Sequence, residues 1–122
     1  MKAIIYARSA TTKGGEEYNS VEHQLARLMS HCQSLKFQIA GVYFDIGSGA
    51  NFNRPGWESL LKDLQNSTVS ADIILCTSTD RLSRVKTETK VILEKLQHYG
   101  ITLKCLEKPF NIWVELKKKK NQ

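Results

Sequence analysis

Asp80-Arg81-Leu82-Ser83-Arg84 follows closely on the apolar run Ile73-Ile74-Leu75-Cys76, and this junction holds the residues best suited to chemistry. An apolar run of that length reads as a buried strand. Open α/β sheets place their ligands just beyond the carboxyl ends of such strands. With a helix starting near Asp80, Arg81 and Arg84 stand three apart and share a face. Two guanidiniums at a helix N-terminus suit an oxyanion, and a phosphate best of all. Arg8 and Arg54 also fall at expected element ends, so four of the five arginines sit where one element hands over to the next. Thirteen lysines supply general solubility, which leaves arginine for planar, paired hydrogen bonding.

The elements that position these residues are readable from apolar spacing. Lys2 to Arg8, with the core Ala3-Ile4-Ile5-Tyr6-Ala7, predicts a central strand. Ser9 to Tyr18 reads as a mobile loop around Gly14-Gly15. Asn19 is the expected helix cap, paired with Glu22, and Val21, Leu25, Leu28, Cys32 and Leu35 mark the apolar face. Gln38 to Asp45 predicts a second strand, and Gly47-Ser48-Gly49 through Asn53 a loop. Pro55 opens a helix carrying Trp57, Leu60, Leu61 and Leu64. Asp72 to Thr77 is the third strand. Val85 to His98, with Val91, Ile92 and Leu96, is a helix stopped by Gly100, and Ile101 to Leu106 is the fourth strand.

Strand and helix alternate throughout. The expected fold is therefore a single-domain α/β parallel sheet with helices on both faces. Its strand-to-helix loops gather along one edge and bring together Arg8, the segment Asp45 to Arg54, and Asp80 to Arg84. Residues 1–108 form this domain. Residues 109–122 read as an irregular basic tail, with Ile112, Val114 and Leu116 spaced as a short edge strand could be.

A net charge of +6 permits nucleic-acid binding without establishing it, because Lys117 to Lys120 supply four of those charges. Cys32, Cys76 and Cys105 have no metal-ligand spacing, nor do His23, His31 and His98. No metal and no cofactor is expected. No signal peptide or membrane span is recognisable, which predicts a cytoplasmic protein.

Four segments in order carry a resemblance: Tyr6-Ala7-Arg8, then Ser20-Val21-Glu22-His23-Gln24, then Asp45 to Gly49 with Asn53-Arg54-Pro55-Gly56, and finally Asp80 to Arg84. Over about residues 2 to 106 the chain resembles the catalytic domain of the serine recombinases, the resolvase and invertase family. The resemblance implies a DNA partner and a serine hydroxyl that attacks a phosphodiester. The products are a 5′-phosphoserine link and a free 3′-hydroxyl, and exchanged ends then reverse the step. Such a reaction calls for cations around the phosphate. By resemblance these are Arg8, Arg54, Arg81 and Arg84, with Asp45 and Asp80 orienting arginines or assisting proton transfer, and Tyr6 and Gln24 in support. The resemblance also implies a homo-oligomer or a full-length recombinase as partner.

Two departures stand beside the match. Family members read Y-x-R-V-S, with the nucleophile two residues after the arginine, where this chain has Ala10. Ser9 is the nearest hydroxyl, with Thr11 and Thr12 beyond it, yet neighbours in an extended strand point to opposite sides. The residues after Leu106 are also too few for the family's long helix and DNA-binding domain, which makes the sequence read as truncated. Two functions remain open on these grounds: a recombinase catalytic domain cutting through Ser9, or a catalytically inactive relative.

Overall fold

In a computed structural model, the described residues are 1–9, 20–47, 54–78, 81 and 86–107. The apolar run near the amino terminus forms β1 (Lys2–Ser9), buried from Ala3 to Ser9. After it come α1 (Val21–Leu35), β2 (Gln38–Ile46), α2 (Pro55–Gln65), β3 (Ile73–Cys76), α3 (Lys86–His98) and β4 (Thr102–Cys105). The four strands are parallel and ordered β2-β1-β3-β4. This is the expected doubly covered α/β sheet, with β1 in a central place.

Alternation along β1 divides the core. Ala3 and Ile5 face α1 with Leu28, Cys32, Ile73 and Leu75. Ile4 and Tyr6 face the other way, against Trp57, Leu60 and Leu64 of α2 and Leu93 and Leu96 of α3. The chain therefore winds outward from β1 in both directions, and the reversal falls between β1 and β3. The carboxyl edge at such a reversal is where an open α/β sheet leaves a crevice.

Several sequence expectations shift by a residue or more. Ser20, not Asn19, caps α1: its hydroxyl accepts the His23 N–H at 3.1 Å. Asn19 lies outside the described residues. On α1 the buried stripe is Val21, Gln24, Leu28 and Cys32, with Leu25 half-buried against it as expected, while Leu35 is exposed. On α3 Thr89, Leu93 and Leu96 are buried while Val91 is exposed. The helix expected from near Asp80 is described only from Lys86, and Arg81 precedes it in a turn closed by its N–H to the Ser78 carbonyl at 3.2 Å. Gly100 does end α3. At φ +73 it adopts the left-handed conformation that glycine tolerates, and Ile101 N–H returns to the Leu96 carbonyl at 2.9 Å. No described helix is long and apolar enough to cross a membrane. The 109–122 tail lies outside the described residues.

Candidate functional site

Asp45 breaks the pattern of its strand. β2 is an edge strand whose Phe44 and Ile46 are about half exposed, yet Asp45 between them is buried. A buried carboxylate needs donors, and it has three. Tyr6 donates its hydroxyl to Oδ2 at 2.7 Å, Gly56 its N–H to Oδ1 at 2.7 Å, and Trp57 its N–H to Oδ2 at 2.9 Å. Gly56 and Trp57 open α2, whose own N-cap residue, Arg54, makes no side-chain cap. Asp45 thus caps α2 from the neighbouring strand and places its negative charge on the positive end of the helix dipole. Gly56 makes the approach possible, because a methyl there would collide with the Phe44 carbonyl oxygen.

Tyr6 lies under this junction, fully buried and edge-on to Trp57 with ring centroids 5.1 Å apart. Burial, and then its hydrogen bond to Asp45, push the phenol far above its usual range, while Arg54 and Arg8 pull the other way. Tyr6 remains a donor at any physiological pH.

Arg8, 2% exposed, is held at the reversal of the sheet. Ser9's carbonyl accepts from Gly47 N–H on the β2 side, so the peptide groups of Arg8 face the opposite side, where β3 has ended. Gln24 takes both: its Oε1 accepts Arg8 N–H at 3.2 Å and its Nε2 donates to Arg8 O at 2.9 Å. One side-chain amide thus stands in for a missing strand neighbour. Arg81 closes the site from the β3 loop. Arg8 Nε donates to the Arg81 carbonyl at 2.8 Å, and Arg81 Nη1 donates to the Arg8 carbonyl at 3.2 Å. These like charges are gathered through main-chain carbonyls.

Arg54 completes the group. It is 8% exposed, and its buried Nε has no hydrogen-bond partner among the described residues. A charged donor in that condition calls for an acceptor that the described residues do not supply. Arg8 and Arg81 are bonded to each other, and Arg54 stands at the N-cap of the helix that Asp45 caps, so all three lie at the carboxyl edge of the sheet. Such a site suits an oxyanion with several oxygens.

Of the residues expected from sequence, Tyr6, Arg8, Gln24, Asp45, Arg54 and Arg81 belong to one connected region. Asp80 and Arg84 lie outside the described residues, as do Ala10, Thr11 and Thr12. Ser9 is buried at the end of β1. By strand alternation it sits on the α1 face with Ala3, Ile5 and Ala7, opposite Tyr6 and Arg8. Trp57 was expected only as a packing residue of its helix, and Gly56 only as a member of the Asn53-Arg54-Pro55-Gly56 segment, with no role of its own. A glycine at the second position of a helix, directly after Pro55, was the available signal. Among the described residues no cluster of metal-ligating side chains occurs.

The family model "Resolvase, N terminal domain" matches residues 3–119. Among curated proteins none matches the chain. Solved structures do. The N-terminal catalytic domain of TP901-1 integrase is 26% identical with a TM-score of 0.80, covering 99% of this chain and 97% of its own. The C-terminal catalytic domain of ISC1926 TnpA, an IS607-like serine recombinase, is 27% identical with a TM-score of 0.74, covering 98% and 79%. A resolvase family site-specific recombinase from Streptococcus pneumoniae, 19% identical with a TM-score of 0.76 over 99% and 88%, shares the fold.

Proposed function

Since the chain belongs to the resolvase N-terminal domain family, we propose that it grips a DNA phosphodiester in its arginine pocket without cutting it. The observation that carries this reading is the buried Nε of Arg54, without a partner among the described residues, at the start of the helix that Asp45 caps. The non-bridging oxygens of a phosphodiester supply the missing acceptors. Arg8 and Arg81 add charge from the far side of the sheet reversal, and the family resemblance adds Asp80 and Arg84 to the same group. Asp45 and Gln24 are positioning residues, one holding α2 and with it Arg54, the other holding the end of β1 and with it Arg8.

Cleavage needs an oxygen in line with the leaving 3′-oxygen. In the family's reaction a serine Oγ bonds to phosphorus, the bond to the 3′-oxygen breaks, and the serine proton ends on the new 3′-hydroxyl. Ala10 has no such oxygen. Ser9 has one, but the pleat directs it to the α1 side while Arg8 faces α2. The side-chain period of a strand supports binding without strand cleavage.

The test incubates the full chain with short DNA duplexes of randomised sequence, reading binding on a native gel and covalent adducts on a denaturing one. The expected result is reversible binding, weakened about tenfold or more by Arg54→Gln, with no covalent adduct. Ala10→Ser is expected to yield an adduct at the strand's 5′ phosphate. A covalent adduct from the native chain that disappears in Ser9→Ala would establish Ser9 as a working nucleophile and overturn this reading.

A further inference from the structure

The ladder between β3 and β4 ends on a pair of thiols. Cys76 and Cys105 are direct partners in the register, and their Sγ atoms lie 3.4 Å apart. Neighbouring strands run about 4.8 Å apart, a separation within the Cα range that a disulfide spans. Cys76 is fully buried and Cys105 partly exposed, so a small reagent meets Cys105 first. The third thiol, Cys32, packs on the opposite face of the sheet, and burial pushes its ionisation up. It is an internal control for nonspecific oxidation.

We propose that Cys76 and Cys105 are a redox couple which hydroperoxides close to a disulfide. With hydrogen peroxide, the Cys105 sulfur attacks one oxygen and the O–O bond breaks. Cys105 becomes a sulfenic acid, and its thiol proton leaves with the departing hydroxide as water. The Cys76 sulfur then attacks the sulfenic sulfur. The S–S bond forms, the S–OH bond breaks, and that hydroxide takes the Cys76 proton as a second water. The two thiols lose two electrons and the peroxide gains them. An isolated sulfenic acid has time to meet more oxidant, but here the second sulfur is already in contact, so ring closure comes first.

Closure also reaches the loop that carries Arg81. The Cys76 thiol donates to the Ser78 carbonyl at 3.3 Å, and the same carbonyl accepts Arg81 N–H at 3.2 Å. A disulfide has no thiol hydrogen, so Ser78 loses that donor as Cys76 is drawn toward β4. The turn from Ser78 to Arg81 is then held less firmly. This second part rests on the arginine-pocket reading for its functional meaning, while the disulfide itself does not.

The experiment treats the full chain with hydrogen peroxide, alkylates remaining thiols, digests without reductant and maps the peptides by mass spectrometry. The expected product is a Cys76–Cys105 linked peptide, with Cys32 alkylated and full reversal by dithiothreitol. In Cys76→Ser the expected product is sulfinic acid at Cys105. Sulfinic acid at Cys105 of the native chain with Cys76 still alkylated, or equal oxidation of all three thiols, would overturn the couple. Hydrogen exchange on the same samples reads the loop: the Arg81 amide is expected to exchange about tenfold faster when oxidised. A formed disulfide with unchanged Arg81 exchange would refute the link to the loop. No DNA enters this assay, so its failure is distinct from failure of the pocket.

Discussion

Asp45 shows how a single carboxylate can tie the end of one strand, a buried phenol and the start of a helix together. It satisfies Tyr6, the first turn of α2 and, through that turn, the placement of Arg54. Asp45→Ala leaves a buried hydroxyl and two amides without their acceptor, and is expected to cost about 3 kcal/mol by denaturant unfolding. Gln24→Met keeps the volume but loses both bonds to Arg8, and is expected to cost about 1–3 kcal/mol in the same measurement. A second, half-buried phenol sets an alkaline limit. Tyr43 donates to Asp63 at 2.6 Å, and burial followed by that bond pushes its ionisation up to about 12. An unfolded tyrosine ionises near 10. The raised folded value means that stabilisation is complete below about pH 10 and drains as pH rises through 12. Unfolding free energy measured across that window should fall, and fall less steeply in Tyr43→Phe. Tyr6, raised further still, continues the loss above it.

At the scale of elements, the site depends on α2 pressing its first turn onto the end of β2. Gly56→Ala should raise helix propensity, yet the collision with the Phe44 carbonyl outweighs it. The variant is expected to lose about 1–3 kcal/mol by thermal or denaturant melting, and to bind DNA less tightly because Arg54 moves with the helix. The strands and helices were legible in apolar spacing because long periodic runs have only one way to bury themselves. The boundaries were less so. Ser20 took the cap from Asn19 because its hydroxyl reaches the His23 amide, a local choice between two good capping residues. Gln24 lies in the buried stripe of α1, and only the family resemblance pointed to it. Its reason is a long-range one, the peptide groups of Arg8 left open where β3 ends, and no local spacing reports that.

For the whole molecule, the doubly wound order β2-β1-β3-β4 brings Arg8 and Arg81 to the reversal of the sheet and lets α2 deliver Arg54 beside them. That convergence was legible as soon as the elements were seen to alternate, because parallel strands put all their carboxyl ends on one edge. The pleat at Ser9 follows from strand alternation too, and the proposal of a grip without cleavage rests on it. Salt dependence offers a first check on the grip. Each phosphate neutralised contributes about −0.9 to the slope of log affinity against log salt, so Arg54→Gln should flatten that slope by about 1.

The most direct measurement is an NMR titration of the arginine Nε–H groups with a short DNA duplex. The Nε–H resonances of Arg8, Arg54 and Arg81 are expected to shift together, with one midpoint, and Arg54 is expected to shift most. Binding that moves only lysine signals and leaves Arg54 unchanged would contradict the account.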